Sequence, residues 1–163
     1  MAVVDLLELP ELTPAYTPWA GLDLGSKTIG VAVSDATRTV ASPLELIRKT
    51  KFTDDAAALF RIMDERRVSA LVIGLPVNMD GSEGPRAQSA RAFARNLFRF
   101  RDLPIAFWDE RLSSVAVNRM LIEEADLTRA KRADVVDRAA AGWILHGSLE
   151  RVRAASPAER GPL

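Results

Sequence analysis

Acidic side chains stand at three places where apolar segments of this chain end or turn. They are Asp23 within WAGLDLGSKTIGVAVSD, the pair Asp109-Glu110 directly after PIAFW, and Asp137 within VDRAAAGWIL, with Asp134 three residues before it. Period-two alternation puts Trp19, Gly21 and Asp23 on one side of a strand and Ala20, Leu22 and Leu24 on the other, so Asp23 sits in a central, buried strand. An isolated carboxylate there is costly unless a cation or hydrogen bonds compensate it. Clustered carboxylates raise one another's pKa values unless a divalent cation neutralises them, and all-oxygen ligation suits Mg²⁺ or Mn²⁺ rather than zinc. Such an ion clamps a phosphodiester and lowers the pKa of bound water from about 15.7 to about 7, so hydrolysis requires neither a histidine base nor a nucleophilic side chain. A single histidine, His146, and the absence of cysteine agree with that chemistry; they exclude disulfides and argue against a zinc site.

The elements that must position these acids can be read from periodicity and turn residues. Residues 19–34 read as a hairpin turning at Gly25-Ser26. A third strand follows around Val40 to Arg48, placed at a sheet edge by Pro43, which has no amide proton for a ladder. Phe52 to Arg67 carries a helical stripe, with Thr53 as its expected cap. Ala70 to Leu75 is a continuous apolar run, the pattern of a strand covered on both faces. Gly84 to Arg101 reads as a second helix with Arg91, Arg95 and Arg99 on an outward ridge, and Pro104 to Trp108 as a fourth buried-type strand. A helix capped by Ser113 or Ser114 is expected to reach about Ala125; a loop at Leu127 to Arg132 then leads to a last helix from Ala133 to about Arg153. Three strands, helix, strand, helix, strand and two helices make a mixed sheet, antiparallel at one edge and covered by helices on both sides. In such sheets, sites gather at strand carboxyl ends, where these acids fall.

A chain of 163 residues with 48% hydrophobic composition accommodates one domain, here residues 19–153. Residues 1–18 read as an extended arm and 154–163 as a polar tail. No run is apolar and long enough to span a bilayer and no secretory leader is visible, so a cytoplasmic protein without a membrane partner is expected. The net charge is zero, but residues 1–18 hold three acids and no base, leaving the remainder at 22 basic against 19 acidic residues. Of the basic residues 18 are arginine, whose guanidinium suits bidentate phosphate contacts.

DLGSKTIGVAVSD, IGLPVNMDGSEG, DERLSS and VDRAAAGWIL, in this order and spacing, resemble the YqgF (RuvX-like) family of Holliday-junction resolvases and pre-16S ribosomal RNA nucleases. The resemblance covers about residues 19 to 150. It implies a ribonuclease H-like fold with a five-stranded mixed sheet, and metal-dependent endonuclease chemistry on structured nucleic acid, either a four-way DNA junction or a precursor rRNA. It assigns Asp23, Glu110 and Asp137 as catalytic, metal-holding acids. Glu110 is preferred over Asp109 for its reach and its place in the motif, and Asp134 stands as an extra ligand in a minority reading. Lys27 and Arg111 are placed to meet phosphates, Asn78 and Asp80 to shape a turn, with Asn78 also a candidate nucleic-acid contact, and Arg129, Lys131 and Arg132 to clamp backbone near Asp137. A junction resolvase is expected to be a homodimer, whereas an RNA-processing enzyme needs only one copy. The same residues admit two other readings: a non-catalytic RNA-binding factor in ribosome maturation, and an actin-like ATPase, which shares the Asp-x-Gly-x-Lys turn but needs two such domains.

Overall fold

The computed structural model describes residues 2–112 and 129–155, the side chains of 129–135 and 137 excepted. Five strands, β1 (Trp19–Leu24), β2 (Thr28–Ser34), β3 (Ala41–Arg48), β4 (Ala70–Leu75) and β5 (Ile105–Asp109), form one sheet in the order β3-β2-β1-β4-β5. β1 pairs antiparallel with β2 and parallel with β4, and β4 pairs parallel with β5. The aspartate strand β1 is thus the centre of the sheet. Its turn into β2 is closed by the Gly25 amide, which donates to the Thr28 carbonyl at 2.9 Å.

Pro43 does lie on an edge strand, and the pairing of β2 with β3 slips there: Val31 faces Glu45 while Ala32 faces Pro43. A bulge at a residue without an amide proton breaks the edge ladder where it could not have formed.

Strand alternation divides the core in two. One layer joins Ala20, Leu22, Leu71, Ile73 and Ile105 to the inward faces of α2 (Phe52–Arg66) and α3 (Pro85–Leu97). The other joins Trp19, Ala70, Val72, Ala106 and Trp108 to Ala140, Ala141, Ile144, Leu145 and Leu149 of the last helix, which runs Arg129–Ala154. No helix among the described residues is long and apolar enough to cross a membrane.

The structure corrects several expectations. Residues 1–18 are not an extended arm: a 3-10 turn at Leu6–Glu8 and a short helix α1 (Leu9–Leu12) bury Leu6 and Leu9 in the second core layer. The leucine scatter is therefore a packing face, and the Val4 amide donates to the Ile105 carbonyl at 2.9 Å along the β5 edge. Thr53 does not cap α2; Asp55 reaches back instead and accepts the Thr50 amide at 3.0 Å. The second long helix stops at Leu97, so Arg99 lies beyond it, and Arg91 is gripped by Glu83 and stacked over Phe107. The arginine ridge does not exist as a free surface feature. Arg129, Lys131 and Arg132 are not in a loop but within the first turn of the last helix, here α4. The expected helix over 113–125 lies outside the described residues.

Candidate active site

Asp23 is 2% exposed, one residue beyond Leu22, whose parallel partner across the ladder is Ile73. The next residue of β4 is Gly74, which pairs on its other side with Trp108. A β-carbon at Gly74 would stand 2.8 Å from Oε1 of Glu110 and press on Cδ1 of Ile144. The carboxylate of Glu110 therefore occupies the space that a side chain at Gly74 would take, at the strand position next to Asp23.

The backbone separates Asp109 from Glu110. Ala106 and Trp108 belong to the core layer under α4 and Phe107 to the opposite one, so Asp109, the last residue of β5, faces away from α4, while Glu110, the first residue of a 3-10 turn at Glu110–Leu112, lies over Gly74 on the α4 side. Asp23 is on the α4 side too, in step with Trp19 and Gly21. Asp109 is occupied elsewhere. It accepts the Arg111 backbone amide at 2.9 Å and the Arg111 guanidinium at 2.7 to 3.1 Å, contacts that hold its carboxyl below the usual aspartate range and raise the guanidinium above its own.

The third acid is reached through the backbone of α4. A β-carbon at Gly21 would lie 2.7 Å from Leu145 Cβ and 2.9 Å from the Ala141 carbonyl, so α4 rests directly on β1 at that point. Near the far end of α4, Arg153 donates to the carbonyls of Arg38 and Thr39 at 3.4 and 3.0 Å, in the turn after β2 and beside the start of β1. The helix therefore runs antiparallel to β1. Asp137, four residues before Ala141, is about 6 Å further along the helix, and Asp23, two residues beyond Gly21, is about 6.6 Å further along the strand in the same direction. Helix position 137 and strand position 23 thus fall at one level. Asp134 lies a turn further out on α4.

Around these acids the strand ends are tied together. The turn after β4 is closed by the Gly81 amide on the Asn78 carbonyl and the Asn78 amide on the Ser82 carbonyl, each at 2.9 Å. Gly81 takes φ +90°, which favours glycine there. Asp80 accepts the Ser82 amide and hydroxyl, and these bonds lower its pKa. The Asn78 carboxamide donates to Ser82 Oγ at 3.0 Å. Nη1 of Arg111 donates to the carbonyls of Asn78 and Met79 at 3.3 and 3.4 Å. Arg111 and Asn78 thus brace the site's rim. Lys27 is exposed in the turn just after Asp23, and a cavity of about 220 Å³ lined by Leu24, Gly25, Ser26, Pro85, Arg86 and Ser89 opens beside that turn.

Among the described residues no three acids come together in a metal-ligating group; the side chain of Asp137 is not among them. The two residues missed by sequence reasoning are Gly74 and Gly21, although a glycine inside a buried strand is itself the signal of a close approach.

The chain matches the RuvX family, described as Holliday junction resolvase, over residues 17–151. A protein of Phenylobacterium zucineum named "Putative pre-16S rRNA nuclease" is 73% identical over 154 residues, covering 94% of this chain and 99% of that one. A protein of Paracoccus denitrificans with the same name is 63% identical over 143 residues, 88% of this chain and 90% of that one. Among solved structures, T. thermophilus RuvC in complex with Holliday junction substrate is similar with a TM-score of 0.48 at 16% identity, over 86% of this chain and 98% of that chain.

Proposed function

The chain belongs to the RuvX family, and from that premise we propose that it is a divalent-metal-dependent endonuclease that trims the 5′ end of precursor 16S rRNA. Its sheet, five mixed strands flanked by helices, has the ribonuclease H-like architecture. The observation that carries the chemical reading is the Glu110 carboxylate lying over Gly74, one strand away from the buried Asp23. With Asp137 at the same level of α4, the proposed donor set is entirely carboxylate oxygen, which fits Mg²⁺ or Mn²⁺. When bound, such an ion supplies Lewis-acid activation of the phosphodiester.

Asp23 on β1 and Glu110, which follows β5 and lies over Gly74 of β4, stand at the carboxyl end of the sheet, and the β1-β4-β5 ladder sets their spacing. Asp109 holds Arg111, and Arg111 holds the 78–82 turn, so this arginine acts by positioning more than by contacting phosphate. Lys27 is exposed beside the acids and suits a flanking phosphate. Arg129, Lys131 and Arg132 belong to the first turn of α4, at the Asp137 end, and are proposed to follow the substrate backbone. Binding through these cations weakens steeply with salt.

The relatives' names support the RNA substrate. The family's description supports a second reading, a four-way DNA junction nicked symmetrically by a homodimer. Cleavage assays with Mg²⁺ or Mn²⁺ on a 5′-extended rRNA precursor and on a four-way junction, with Asp137→Asn as control, separate them. Trimming of the RNA alone is the expected result. Symmetric junction cleavage would assign a resolvase, and no metal-dependent cleavage of either by wild type would leave an RNA-binding maturation factor.

A further inference from the structure

The turn after β4 carries a feature that metal chemistry and phosphate binding leave unused. Met79 is 88% exposed at the tip of a turn that its neighbours hold rigid. Turn chemistry explains Asn78, Asp80 and Gly81, which supply side-chain hydrogen bonds and a positive φ, but it has no use for an exposed thioether. Five hydrogen bonds within residues 78–82 fix the turn, and Arg111, anchored by Asp109, grips the Met79 carbonyl itself. The same arginine follows Glu110 directly in the chain and precedes Leu112, which is 70% exposed. Two exposed apolar side chains thus flank the strut at the rim of the candidate acids.

An exposed methionine standing alone on a surface is unremarkable. This one is presented on a braced turn whose brace, Arg111, directly follows Glu110, and on the nuclease reading the substrate that passes there is nucleic acid. The groups of a nucleic acid that an apolar side chain contacts favourably are the faces of its bases, and methionine is among the wedges that proteins insert between base steps.

We propose that Met79 is a base-contacting wedge that enters a base step next to the scissile phosphodiester and unstacks it. The proposal rests on the nuclease reading and adds to it the preference for structured substrate. The Arg111 strut fixes how far the wedge stands from Glu110, so unstacking and cleavage occur at a set spacing.

The test pairs cleavage with a direct report of unstacking. Met79→Leu keeps an apolar wedge, Met79→Gln keeps the length and removes the apolar character, and Met79→Ala removes both. All are compared by thermal melting and by Mn²⁺ titration, which report the fold and the acids independently of cleavage. The substrate is the 5′-extended rRNA precursor, or the four-way junction if wild type cuts only that, with 2-aminopurine at the base step flanking the cut. Wild type and Met79→Leu raise the fluorescence on binding; Met79→Gln and Met79→Ala do not, and their cleavage falls about tenfold, on the scale of one lost base contact. Equal fluorescence and equal cleavage in all four proteins would overturn the wedge while leaving the nuclease intact. Failure of wild type to cut either substrate would overturn both.

Discussion

Gly74 marks where side-chain chemistry and strand geometry meet. Alanine there would collide with the Glu110 carboxylate and with Ile144. Gly74→Ala is expected to cost roughly 1–3 kcal/mol in stability, as overpacking does, and to weaken Mn²⁺ binding at least tenfold by displacing Glu110. Adding Ile144→Val restores much of the melting temperature and little of the metal affinity; recovery of both together would mean that Glu110 is not the group displaced. Asp23 shows the opposite balance. Its carboxyl group is 2% exposed on the central strand, at the position next to the Glu110 carboxylate, so in chelator Asp23→Asn is expected to be about 1–2 kcal/mol more stable, raising Tm by roughly 2–8 °C, while metal-dependent cleavage is abolished. A melting temperature that falls would show that the carboxylate is part of the scaffold. Asp23 was legible from the sequence because a charge in an apolar, alternating run breaks the pattern. The separation of Glu110 from Asp109 was legible only up to a bend at the strand end, since which residue faces α4 depends on whether the pleat continues past Trp108.

At the scale of elements, the strands were the best-read part of the chain. Ala70–Leu75 is covered on both faces as its unbroken apolar run implied, and Pro43 is on the edge. Helix ends were read less well, because caps depend on geometry: Asp55 rather than Thr53 serves the start of α2. The N-terminal segment was misread for a different reason. Its anchor is distant in sequence: Arg38, at φ +58°, donates to the carbonyls of Pro14 and Thr17 and to the hydroxyls of Thr13 and Thr17, and stacks over Trp19 at 4.5 Å. Arg38→Ala is expected to cost roughly 1–3 kcal/mol and to speed amide exchange through Leu9–Thr13 more than in β1. Uniform exchange in both would show that the segment does not depend on this staple. The turn between β2 and β3 offers a pH test. Asp35 accepts hydrogen bonds from the Thr37 hydroxyl and from the Val40 and Thr39 amides, which lower its pKa from 3.8 to about 2. A depressed carboxylate stabilises the fold fully above the unfolded value and loses that contribution as pH falls through the folded one. The difference in stability between wild type and Asp35→Asn is therefore constant above about pH 5 and shrinks towards pH 2; a constant difference down to pH 2 would mean the turn does not bind the charged form.

Over the whole molecule, two glycines on the α4 side of the sheet, one on β1 and one on β4, set the architecture of the site. Gly21 lets α4 settle onto the central strand, and Gly74 leaves room for a carboxylate one step towards the carboxyl end. The helix that carries Asp137 is thus held by contacts on the strand that carries Asp23, so packing rather than a loop sets helix position 137 against strand position 23. On the proposed mechanism Asp23, Glu110 and Asp137 act as one metal-holding unit to which Asp109 does not belong. The measurement that tests it most directly is Mn²⁺ titration of four single variants, Asp23→Asn, Asp109→Asn, Glu110→Gln and Asp137→Asn, each checked by melting. Asp23→Asn, Glu110→Gln and Asp137→Asn are each expected to lose Mn²⁺ affinity at least tenfold, whereas Asp109→Asn stays within about threefold of wild type. Loss of affinity in Asp109→Asn with retention in Glu110→Gln would contradict the proposed mechanism.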